Sequence, residues 1–535
     1  MKNGGSFSRR AFVKGIAASL IVVGFLQSCK ESVVRLMIRL SGTNHILGHR
    51  LRVKNFPKPV RVIDIPYLIV GGGISGLSAA RQLSKRGITD FMLVELESHV
   101  GGNSSNGENK FSKFPLGAHY LPLPNLSDTE LLQFLKEENV IVGRDDAGLP
   151  IFDEQQLVIA PQERLFFRNT WQEGLVPKSD EVDFKRFFGQ MDNFRLAKGS
   201  DGRYLFDIPL SKSSNLPESL KLDALSMTQW MTKNNHTSAL LREYVDYCCR
   251  DDFGFGVDNV SAWAGIHYFA ARKHDATSTQ KENVLTWPEG NARLASHLKK
   301  YSSGKELRNH LVYEVAIVNG KPTATVFDDM NNESIAIIAD KIIMATPQFV
   351  NKYLIADRKE LSSHFNYAPW LLATLTVDSL SDNFSYPLCW DNVIHGGKGL
   401  GYIFDQHQSL QQVQQKYVIT YYYSFSSADT KKSRREMYSR TKEYWKQFVF
   451  DDLKTAHPDI ESVTETIDIH LLGHGMVSPP PGFLFGKARS KAAEPIDRKI
   501  YFAHSDLSGI SIFEEAFHQG INAVNQMLDD ATVDS

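Results

Sequence analysis

Two spacings of apolar residues divide the chain into predicted strands and helices. Residues 67–70 and 91–94 are short, continuous apolar runs, which are typical of buried parallel strands. Between them, apolar residues recur at helical spacing as far as residue 86, and Gly87 follows where helices commonly end. The pattern therefore predicts a strand, a helix and a second parallel strand near the start of the folded chain.

The end of the chain carries a similar order of elements. Residues 498–502 predict a strand, and Ser511 and Glu514 have the spacing of a capping box that would start a helix. Residues 307–329 alternate as a hairpin with its turn near residue 319. The apolar residues of the last predicted helix fall on one face: Phe513, Ala516, Phe517, Gly520, Val524 and Met527.

Composition excludes some classes of protein. A chain of 535 residues is too long for one ordinary core, so two or more domains are expected. The net charge of −1 argues against a nucleic-acid-binding protein, because such proteins carry a clear basic excess. Four cysteines in this length do not make a disulfide scaffold, and no metal site is predicted.

The first residues resemble an export signal. Residues 8–14 contain Arg9 and Arg10 and are similar to the bacterial twin-arginine signal. The apolar run over 15–28 is shorter than the ~20 residues that span a bilayer, and it fits the apolar part of a signal peptide. Cys29 then ends a sequence that resembles a lipobox. Lipidation of Cys29 is predicted, and simple cleavage that discards Cys29 is the alternative.

These resemblances imply a location and two partners. The twin-arginine machinery exports proteins that are already folded, and a lipid on Cys29 would anchor this one to a membrane. The expected location is the periplasmic side of a bacterial cell envelope. Residues 30–61 are basic and contain Pro57 and Pro59, which predicts a linker between the anchor and the first strand.

A glycine motif follows the first strand directly and predicts a dinucleotide site. Its first glycine permits a tight turn, the second lets the backbone approach a pyrophosphate, and the third lets the helix pack closely on the strand. The helix N-terminus offers free N–H groups to the phosphates. Glu95, after the second strand, is placed to accept the hydroxyls of an adenosine ribose, which disfavours NADP. The predicted contacts at the turn are Gly71, Gly73, Ile74, Ser75 and Gly76.

Two later segments connect this motif with a known family. Residues 96–107 read LESHVGGNSSNG, and residues 114–122 read FPLGAHYLP. Together with the glycine motif, they resemble the flavin-containing amine oxidase superfamily, which includes monoamine and polyamine oxidases and, more distantly, phytoene desaturases. Asn103 stands where the family often has Arg, so one charged phosphate contact is missing. The resemblance implies FAD, held here by Gly101, Gly102, Asn103, Gly117, Ala118 and His119.

The resemblance also gives a role to the end of the chain. It implies a second flavin half-site, in which Asp506 accepts a ribityl hydroxyl and the last helix stabilises negative charge on the reduced flavin. The backbone of Val315 would hold the adenine edge. No Cys lies in the loop over 474–486, where some members attach the flavin, so the FAD is predicted to be non-covalent. The implied contacts at this end are Ser505, Asp506, Ser511 and Ile512.

Candidates on the substrate side come from the same resemblance. Phe483 or Phe485 would form an aromatic wall. Ile512 would also face the substrate, at the position where amine oxidases often have a cage tyrosine, and a branched aliphatic side chain cannot polarise an amine as an aromatic face can. Lys398 is the best match to a lysine that holds a water near the flavin, and an exposed loop lysine is the alternative. His119 is a second catalytic candidate, with a core histidine as the alternative.

Two acidic residues in the middle of the chain are candidates for contact with a cationic substrate. Asp251 and Asp252, in DYCCRDDFGFG, would attract a cationic substrate if they faced a cavity, but a solvated turn is the favoured interpretation.

The expected fold is α/β, with a Rossmann-type FAD-binding domain and an interleaved α+β substrate domain. Both domains are discontinuous: the FAD-binding domain over 62–125, 281–350 and 495–532, and the substrate domain over 126–280 and 351–494. They follow a signal over 1–29 and the linker over 30–61.

The expected function is that of an exported, amine oxidase-like FAD oxidoreductase. It would transfer a hydride from a C–H bond, beside an amine nitrogen, to flavin N5, with oxygen or a quinone as electron acceptor. A desaturase or dehydrogenase of an apolar lipid or isoprenoid is one alternative. A non-catalytic binding protein on the same fold is the other.

Overall fold

The structure is a computed structural model that describes residues 36–178, 181–273, 280, 283–356, 358–381, 385–411 and 414–533. The predicted export signal and Cys29 lie outside the described residues. By its internal contacts the chain divides into a unit over 1–37 and a unit over 38–535, and the architecture below is that of the second. No helix among the described residues is both long and apolar enough to cross a membrane.

The strands are numbered along the chain. They are β1 (Met37–Gly42), β2 (Pro59–Val70), β3 (Phe91–Val94), β4 (Asn106–Glu108), β5 (Lys113–Pro115), β6 (Tyr120–Pro122), β7 (Ile141–Arg144), β8 (Pro150–Phe152), β9 (Glu163–Phe167), β10 (Thr170–Glu173), β11 (Val284–Thr286), β12 (Glu306–Leu307), β13 (His310–Val318), β14 (Lys321–Asp328), β15 (Glu333–Met344), β16 (Asn366–Val377), β17 (Asp391–Ile394), β18 (Tyr402–Phe404), β19 (Tyr417–Ser424), β20 (Thr464–Ser478) and β21 (Ile500–Phe502).

The α-helices are numbered in the same way. They are α1 (His45–His49), α2 (Ile74–Lys85), α3 (Thr129–Glu137), α4 (Glu181–Leu196), α5 (Pro217–Asp223), α6 (Met227–Lys233), α7 (Ala239–Phe253), α8 (Ala262–Ala270), α9 (Ala292–Lys299), α10 (Gln348–Leu354), α11 (Arg358–Ser362), α12 (Thr430–Ser439), α13 (Lys442–Leu453), α14 (Ile460–Val463), α15 (Lys487–Ala493) and α16 (Phe513–Val533). A 3-10 turn over Arg50–Arg52 follows α1.

One sheet is the predicted Rossmann-type sheet. Strand β2 lies between β3 and β15, parallel to both, and β12 extends the sheet beyond β3. The last part of β15 pairs in parallel with β21, so the strand near the chain end joins the sheet of the glycine motif. The first part of β15 pairs with β14 and, through it, with β13, as the predicted hairpin. The expected fold class is confirmed.

A second sheet of eight strands belongs to the other domain, in the order β1-β20-β16-β19-β18-β17-β9-β10. Its central strand β16 is buried on both faces, and it pairs antiparallel with β19 and β20. The helices α4 to α8 follow β10 and precede β11 along the chain. They carry many of the buried aromatic side chains.

The first and last long helices pack directly against each other. Ser78 on α2 donates its hydroxyl proton to Phe517 O on α16 at 2.6 Å, and Gln82 Nε2 donates to Asn525 Oδ1 at 2.8 Å. A Cβ on Gly520 would lie 2.3 Å from Ser75 O, so only glycine permits this approach. The two ends of the chain therefore meet at one side of the Rossmann-type sheet.

Three expectations about local structure are wrong. The segment predicted as a linker over 30–61 forms β1, α1 and the start of β2 within its described part. Strand β2 begins at Pro59 rather than near 67, because its exposed first half pairs with β15 without an apolar pattern. The capping box is not formed: Ser511 accepts the N–H of Val477, and Glu514 pairs with Arg272.

Candidate functional site

A single large cleft opens where β2, β3 and β15 end. Its volume is about 1250 Å³, above the ~300–1,000 Å³ of ordinary small-molecule sites, and it has room for an elongated ligand. It brings together most of the residues predicted to bind a cofactor: Gly71, Gly73, Ile74, Ser75, Glu95, Gly101, Gly102, Asn103, Ala118, Ser505, Asp506, Ser511 and Ile512. Gly76, Gly117, His119 and Val315 do not line it.

The glycine motif shapes one end of the cleft. Gly71 has φ 104°, a conformation that favours glycine, and its N–H donates to Val94 O at 2.8 Å. Gly73 is the N-cap of α2, and a Cβ there would meet nothing within 4 Å, so the backbone faces open space. Gly101 N donates to Gly72 O at 2.8 Å, which fixes the second glycine pair beside the first. The free N–H groups of α2 thus face the cleft, as an anion site requires.

Glu95 lies half-buried at the same end. Its Oε2 accepts the N–H of Gly72 at 2.6 Å, and its Oε1 accepts the N–H of Glu97 at 2.8 Å. Burial raises the pKa of Glu95 to about 7, although both backbone donors act in the opposite direction. Each carboxylate oxygen keeps a free lone pair, so Glu95 can still accept hydroxyl protons of a ribose.

Asp506 is held rigidly at the other side of the cleft. Its Oδ2 accepts the N–H of Gln348 at 2.8 Å and the hydroxyl of Tyr367 at 2.5 Å, and Oδ1 lies 3.0 Å from His504 Nδ1. Burial alone would raise the pKa of Asp506, but His504, Tyr367 and the Gln348 N–H together hold it below its ordinary value. Asp506 is therefore ionised, and Oδ1, which has His504 as its one partner, keeps a free lone pair that could accept a ribityl hydroxyl.

Asn103 and Ser511 connect the cleft to strand β20. Asn103 Nδ2 donates to Gly475 O at 2.6 Å, so its side chain is bonded to protein, and the hydroxyl of Ser511 accepts the N–H of Val477 at 2.8 Å. Ile512 follows at the N-terminus of α16, half-buried in the cleft wall. No cationic side chain stands at position 103.

Val315, whose backbone was expected to hold the adenine edge, does not line the cleft. Val315 is 2% exposed, pairs with Ala324 and points into the core. A β-bulge between Val312 and Glu314 shifts the strand, and it is Leu311 and Val312 that line the cleft. A bulge in a strand with uniform alternation is not visible in the sequence.

One wall of the cleft is formed by aromatic rings, and the sequence analysis did not predict these residues. The rings of Phe349 and His474 stack with centroids 3.8 Å apart and an angle of 12°, and Tyr367 meets His474 edge-on at 5.6 Å. Burial, with several neighbouring cations, lowers the pKa of His474 well below its usual range, so the imidazole is neutral. These aromatic rings come from α10, β16 and β20, and not from position 512.

His119 lies beyond Ala118, outside the cleft, in an aromatic group. Its ring centroid is 4.6 Å from that of Tyr422, 4.9 Å from Tyr120 and 5.9 Å from Trp390. Burial lowers the pKa of His119 to about 3, so it remains neutral. A neutral, stacked histidine fits the core alternative better than an acid–base role.

Next to His119 lies a group of half-buried side chains that we call the acidic tyrosine cluster: Tyr120, Tyr247, Asp251, Asp252 and Asp391. Tyr120 donates its hydroxyl proton to Asp251 Oδ2 at 3.2 Å, and Tyr247 donates to Asp391 Oδ2 at 3.4 Å. The expected solvated turn at 251–252 is wrong, because these residues form the last turn of α7 and are half-buried.

The acidic tyrosine cluster contains more carboxyl groups than the neighbouring cations neutralise. Burial raises the pKa of Asp251 to about 6. Burial and the charge of Asp251 raise the pKa of Asp252 to about 8, although Arg272 opposes this rise. Burial, Glu163 and Asp251 raise the pKa of Asp391 well above its usual range. A cation placed among these carboxyls would relieve their mutual repulsion.

Three predicted substrate-side residues lie elsewhere. Lys398 is exposed, its Nζ sits 5.0 Å from the centre of the Phe448 ring, and it does not line the cleft, which argues against a catalytic role. Phe483 is 6% exposed and packs against Phe365, and Phe485 packs against Trp263. Phe483 is therefore a core residue, and Phe485 is partly buried against the same core.

Comparison with known proteins adds three likenesses. The family model of the NAD(P)-binding Rossmann-like domain matches residues 69–137. Polyamine oxidase 1 of Zea mays is 39% identical over 54 residues, which is 10% of this chain and 11% of that protein. The carotenoid 3,4-desaturase of Haloarcula japonica is 32% identical over 114 residues, 21% of this chain and 20% of that protein.

A solved structure extends the likeness to most of the chain. A triple mutant of putrescine oxidase superposes with a TM-score of 0.64 at 15% identity, over 88% of this chain and 100% of that one. This likeness concerns the fold alone, whereas the curated relatives above are matched over no more than a fifth of their length.

Proposed function

We propose that this chain, which has the fold of the FAD-dependent amine oxidases, is an FAD-dependent oxidoreductase acting beside an amine nitrogen. The cleft supports the first half of this proposal, since its residues fit an elongated dinucleotide. Gly73 leaves open space at a helix N-terminus, Glu95 faces the same end, and Ser511 and Ile512 lie at the opposite end.

Each part of the cleft has a distinct task in holding FAD. The N–H groups at the start of α2 bind the pyrophosphate, and Glu95 accepts the adenosine ribose. The aromatic wall of Phe349 and Tyr367 excludes water and provides flat contact surface. Bound FAD supplies the hydride acceptor, so the protein needs no acid–base triad and mainly orients the substrate.

The observation that carries the amine assignment is the acidic tyrosine cluster. None of its five residues lines the cleft, but Tyr120 follows Ala118 of the cleft wall by two residues and donates to Asp251, so the carboxyls lie close behind that wall among aromatic rings. Carboxylates and aromatic faces both attract an ammonium ion. The cluster recruits the cationic form of an amine, which must then lose its proton before oxidation.

The location and the electron acceptor belong to the proposal as well. We propose that the protein is exported in folded form and anchored through Cys29, on the resemblance of residues 8–29 to a twin-arginine lipoprotein signal. Oxygen and a membrane quinone are both compatible with such an anchored enzyme.

The purified protein tests the proposal directly. It should absorb near about 450 nm, and amines should bleach this band without oxygen, because hydride transfer reduces the flavin. A colourless protein that takes up no added FAD would overturn the enzyme assignment. A flavin that polyamines and aromatic amines leave oxidised, but an unsaturated lipid or carotenoid reduces, would establish the desaturase alternative instead.

The substitution Glu95→Gln should weaken FAD binding by about 10- to 100-fold, since a charge-assisted hydrogen bond is worth roughly 1.5–3 kcal/mol. Quenching of FAD fluorescence on titration into apoprotein measures this change. Glu108→Gln changes an exposed acid on β4 and should leave the affinity unaltered. Equal affinities of all three proteins would place the ribose elsewhere.

A further inference from the structure

A row of cations lines the same cleft as the glycine motif, and we call it the basic wall. It comes from three elements outside the Rossmann-type motif: the 3-10 turn at Arg50–Arg52, helix α10 and helix α12. Its members are Arg52, Lys352, Lys431, Arg434 and Arg435.

Three of these cations make contacts other than ion pairs. Arg52 Nη2 lies 2.9 Å from His49 Nε2, Lys352 Nζ lies 4.9 Å from the centre of the Tyr353 ring, and Arg434 Nη1 donates to Tyr367 O at 3.2 Å. Within the part of the chain that the structure describes, no ion pair joins these three cations to a carboxylate. Their charges are therefore available to a ligand of the cleft.

The cations act on the same space. Burial lowers the pKa of Arg434, and the charge of Arg52 lowers it further. After burial, Arg434, Lys352 and Arg52 all contribute to the depressed pKa of His474, whose ring lies in the cleft wall. Asp429 offsets part of this effect at Arg434, but neighbouring like charges still repel one another, and an anion bound between them would reduce this cost.

The segment that carries Arg52 is fixed rather than loose. Asn44 N donates to Glu97 Oε1 at 2.7 Å, and Leu47 and Leu51 are each 4% exposed within the core. Arg50 lies over the Phe327 ring at 4.0 Å. This anchoring holds the Arg52 backbone at the cleft. Because the segment is already ordered, a ligand can bind without a further loss of backbone conformational entropy there.

We propose that Arg52 and Lys352, together with Arg434, bind the pyrophosphate of FAD and replace the charge that position 103 lacks. The inference rests on the proposed function, because it takes FAD as the ligand of the cleft. Asn103 is uncharged and already bonded to Gly475, so the glycine motif contributes only N–H groups and the helix dipole. Guanidinium and ammonium groups are the usual partners of phosphates.

Substitution of the basic wall tests the proposal through binding. We expect Arg52→Ala and Lys352→Ala each to weaken FAD and ADP binding to the apoprotein about 10-fold, with an unchanged affinity for adenosine, which has no phosphate. Added NaCl should weaken ADP binding more steeply in the parent protein than in the double variant, because fewer charges remain to be screened. Fluorescence titration gives the FAD values and calorimetry the others.

The matched control is Lys58→Ala, which removes an exposed cation of the same segment outside the cleft. It should leave all three affinities unchanged. If the wall variants bind FAD and ADP as tightly as the parent, the inference fails while the proposed function stands. An equal loss for adenosine and ADP would also overturn it, since the wall would then only support the fold. A parent protein that binds no FAD overturns the proposed function itself.

Discussion

Replacing Gly76 with alanine should prevent normal packing of the Rossmann-type domain, whereas replacing Gly73 should spare the fold and remove the cofactor. A Cβ on Gly76 would lie 1.9 Å from Gly71 O and 3.3 Å from Ala345 Cβ, so helix α2 would have to move off strand β2. A Cβ on Gly73 meets nothing within 4 Å, and its φ of −71° suits any residue. The added methyl would occupy only the space predicted for the pyrophosphate.

Thermal unfolding of the apoproteins and FAD titration separate the two effects. We expect the free energy of unfolding of Gly76→Ala to fall by at least about 3 kcal/mol, the upper end of the usual cost of overpacking, or the variant to be insoluble. Gly73→Ala should unfold within about 0.5 kcal/mol of the parent and bind FAD at least ~100-fold more weakly. Normal FAD affinity in Gly73→Ala would mean that the cofactor does not pass this turn. Parent-like unfolding of Gly76→Ala would refute the packing argument.

The acidic tyrosine cluster should bind a permanently charged amine analogue more tightly as the pH rises. Choline keeps its charge at every pH, so its affinity reports only on the protein. A carboxyl attracts a cation when it is ionised, that is, above its pKa. Asp251 ionises near pH 6 and Asp252 near pH 8, so the affinity for choline should rise between about pH 5.5 and 8.5 by ~10-fold or more.

Variants of the two acids should divide this pH dependence between them. Asp252→Asn should remove the rise near pH 8. Asp251→Asn should remove the rise near pH 6 and move the remaining rise to lower pH, because the charge of Asp251 helps to raise the pKa of Asp252. The neutral isostere 3,3-dimethylbutan-1-ol should bind without pH dependence, and Asp146→Asn, an exposed acid, should behave like the parent. Calorimetric titration at fixed ionic strength gives each affinity. A choline affinity that is flat with pH, or equal to that of the isostere, would remove the basis of the amine assignment.

Stability should change in the opposite direction from binding. The pKa of Asp252 is raised to about 8 in the folded state from an ordinary value of 3.8, so its ionisation opposes folding. This cost grows as the pH rises from the unfolded value and is complete above the folded value. Asp252→Asn should therefore raise the melting temperature of the ligand-free protein at pH 8.5 and leave it nearly unchanged at pH 4. A lower melting temperature at pH 8.5 would contradict the assigned repulsion.

The cleft and the acidic tyrosine cluster are built mainly from different elements of the chain. The predicted cofactor contacts of the glycine motif and the chain end lie on the Rossmann-type sheet and next to the two long helices, whereas the carboxyls come from α7 and β17. Residues 117–120 run between them, since Tyr422 donates its hydroxyl proton to Gly117 O at 3.4 Å and Ala118 lines the cleft. A change of substrate charge would therefore require changes in the second domain only.

The sequence alone determined the phosphate end of the cleft and its link to the chain end. The spacing of Gly71, Gly73 and Gly76 and the position of Glu95 depend on contacts within one strand–helix–strand unit, so local pattern is sufficient. The C-terminal half-site was predictable for the same reason, because a strand, a turn and a helix recur there in order. The fold class followed from these two ends.

The tertiary structure decided the remaining features, because each depends on which face of an element meets another element. A bulge places Val312 rather than Val315 at the cleft, and the packing of α7 makes Asp252 half-buried instead of solvated as expected. The segment that carries Arg52 had no periodic pattern and was expected to be a linker, but it lines the cleft. Burial, charge repulsion and cleft geometry arise from contacts between residues far apart in the chain, which a single sequence does not encode in its spacing.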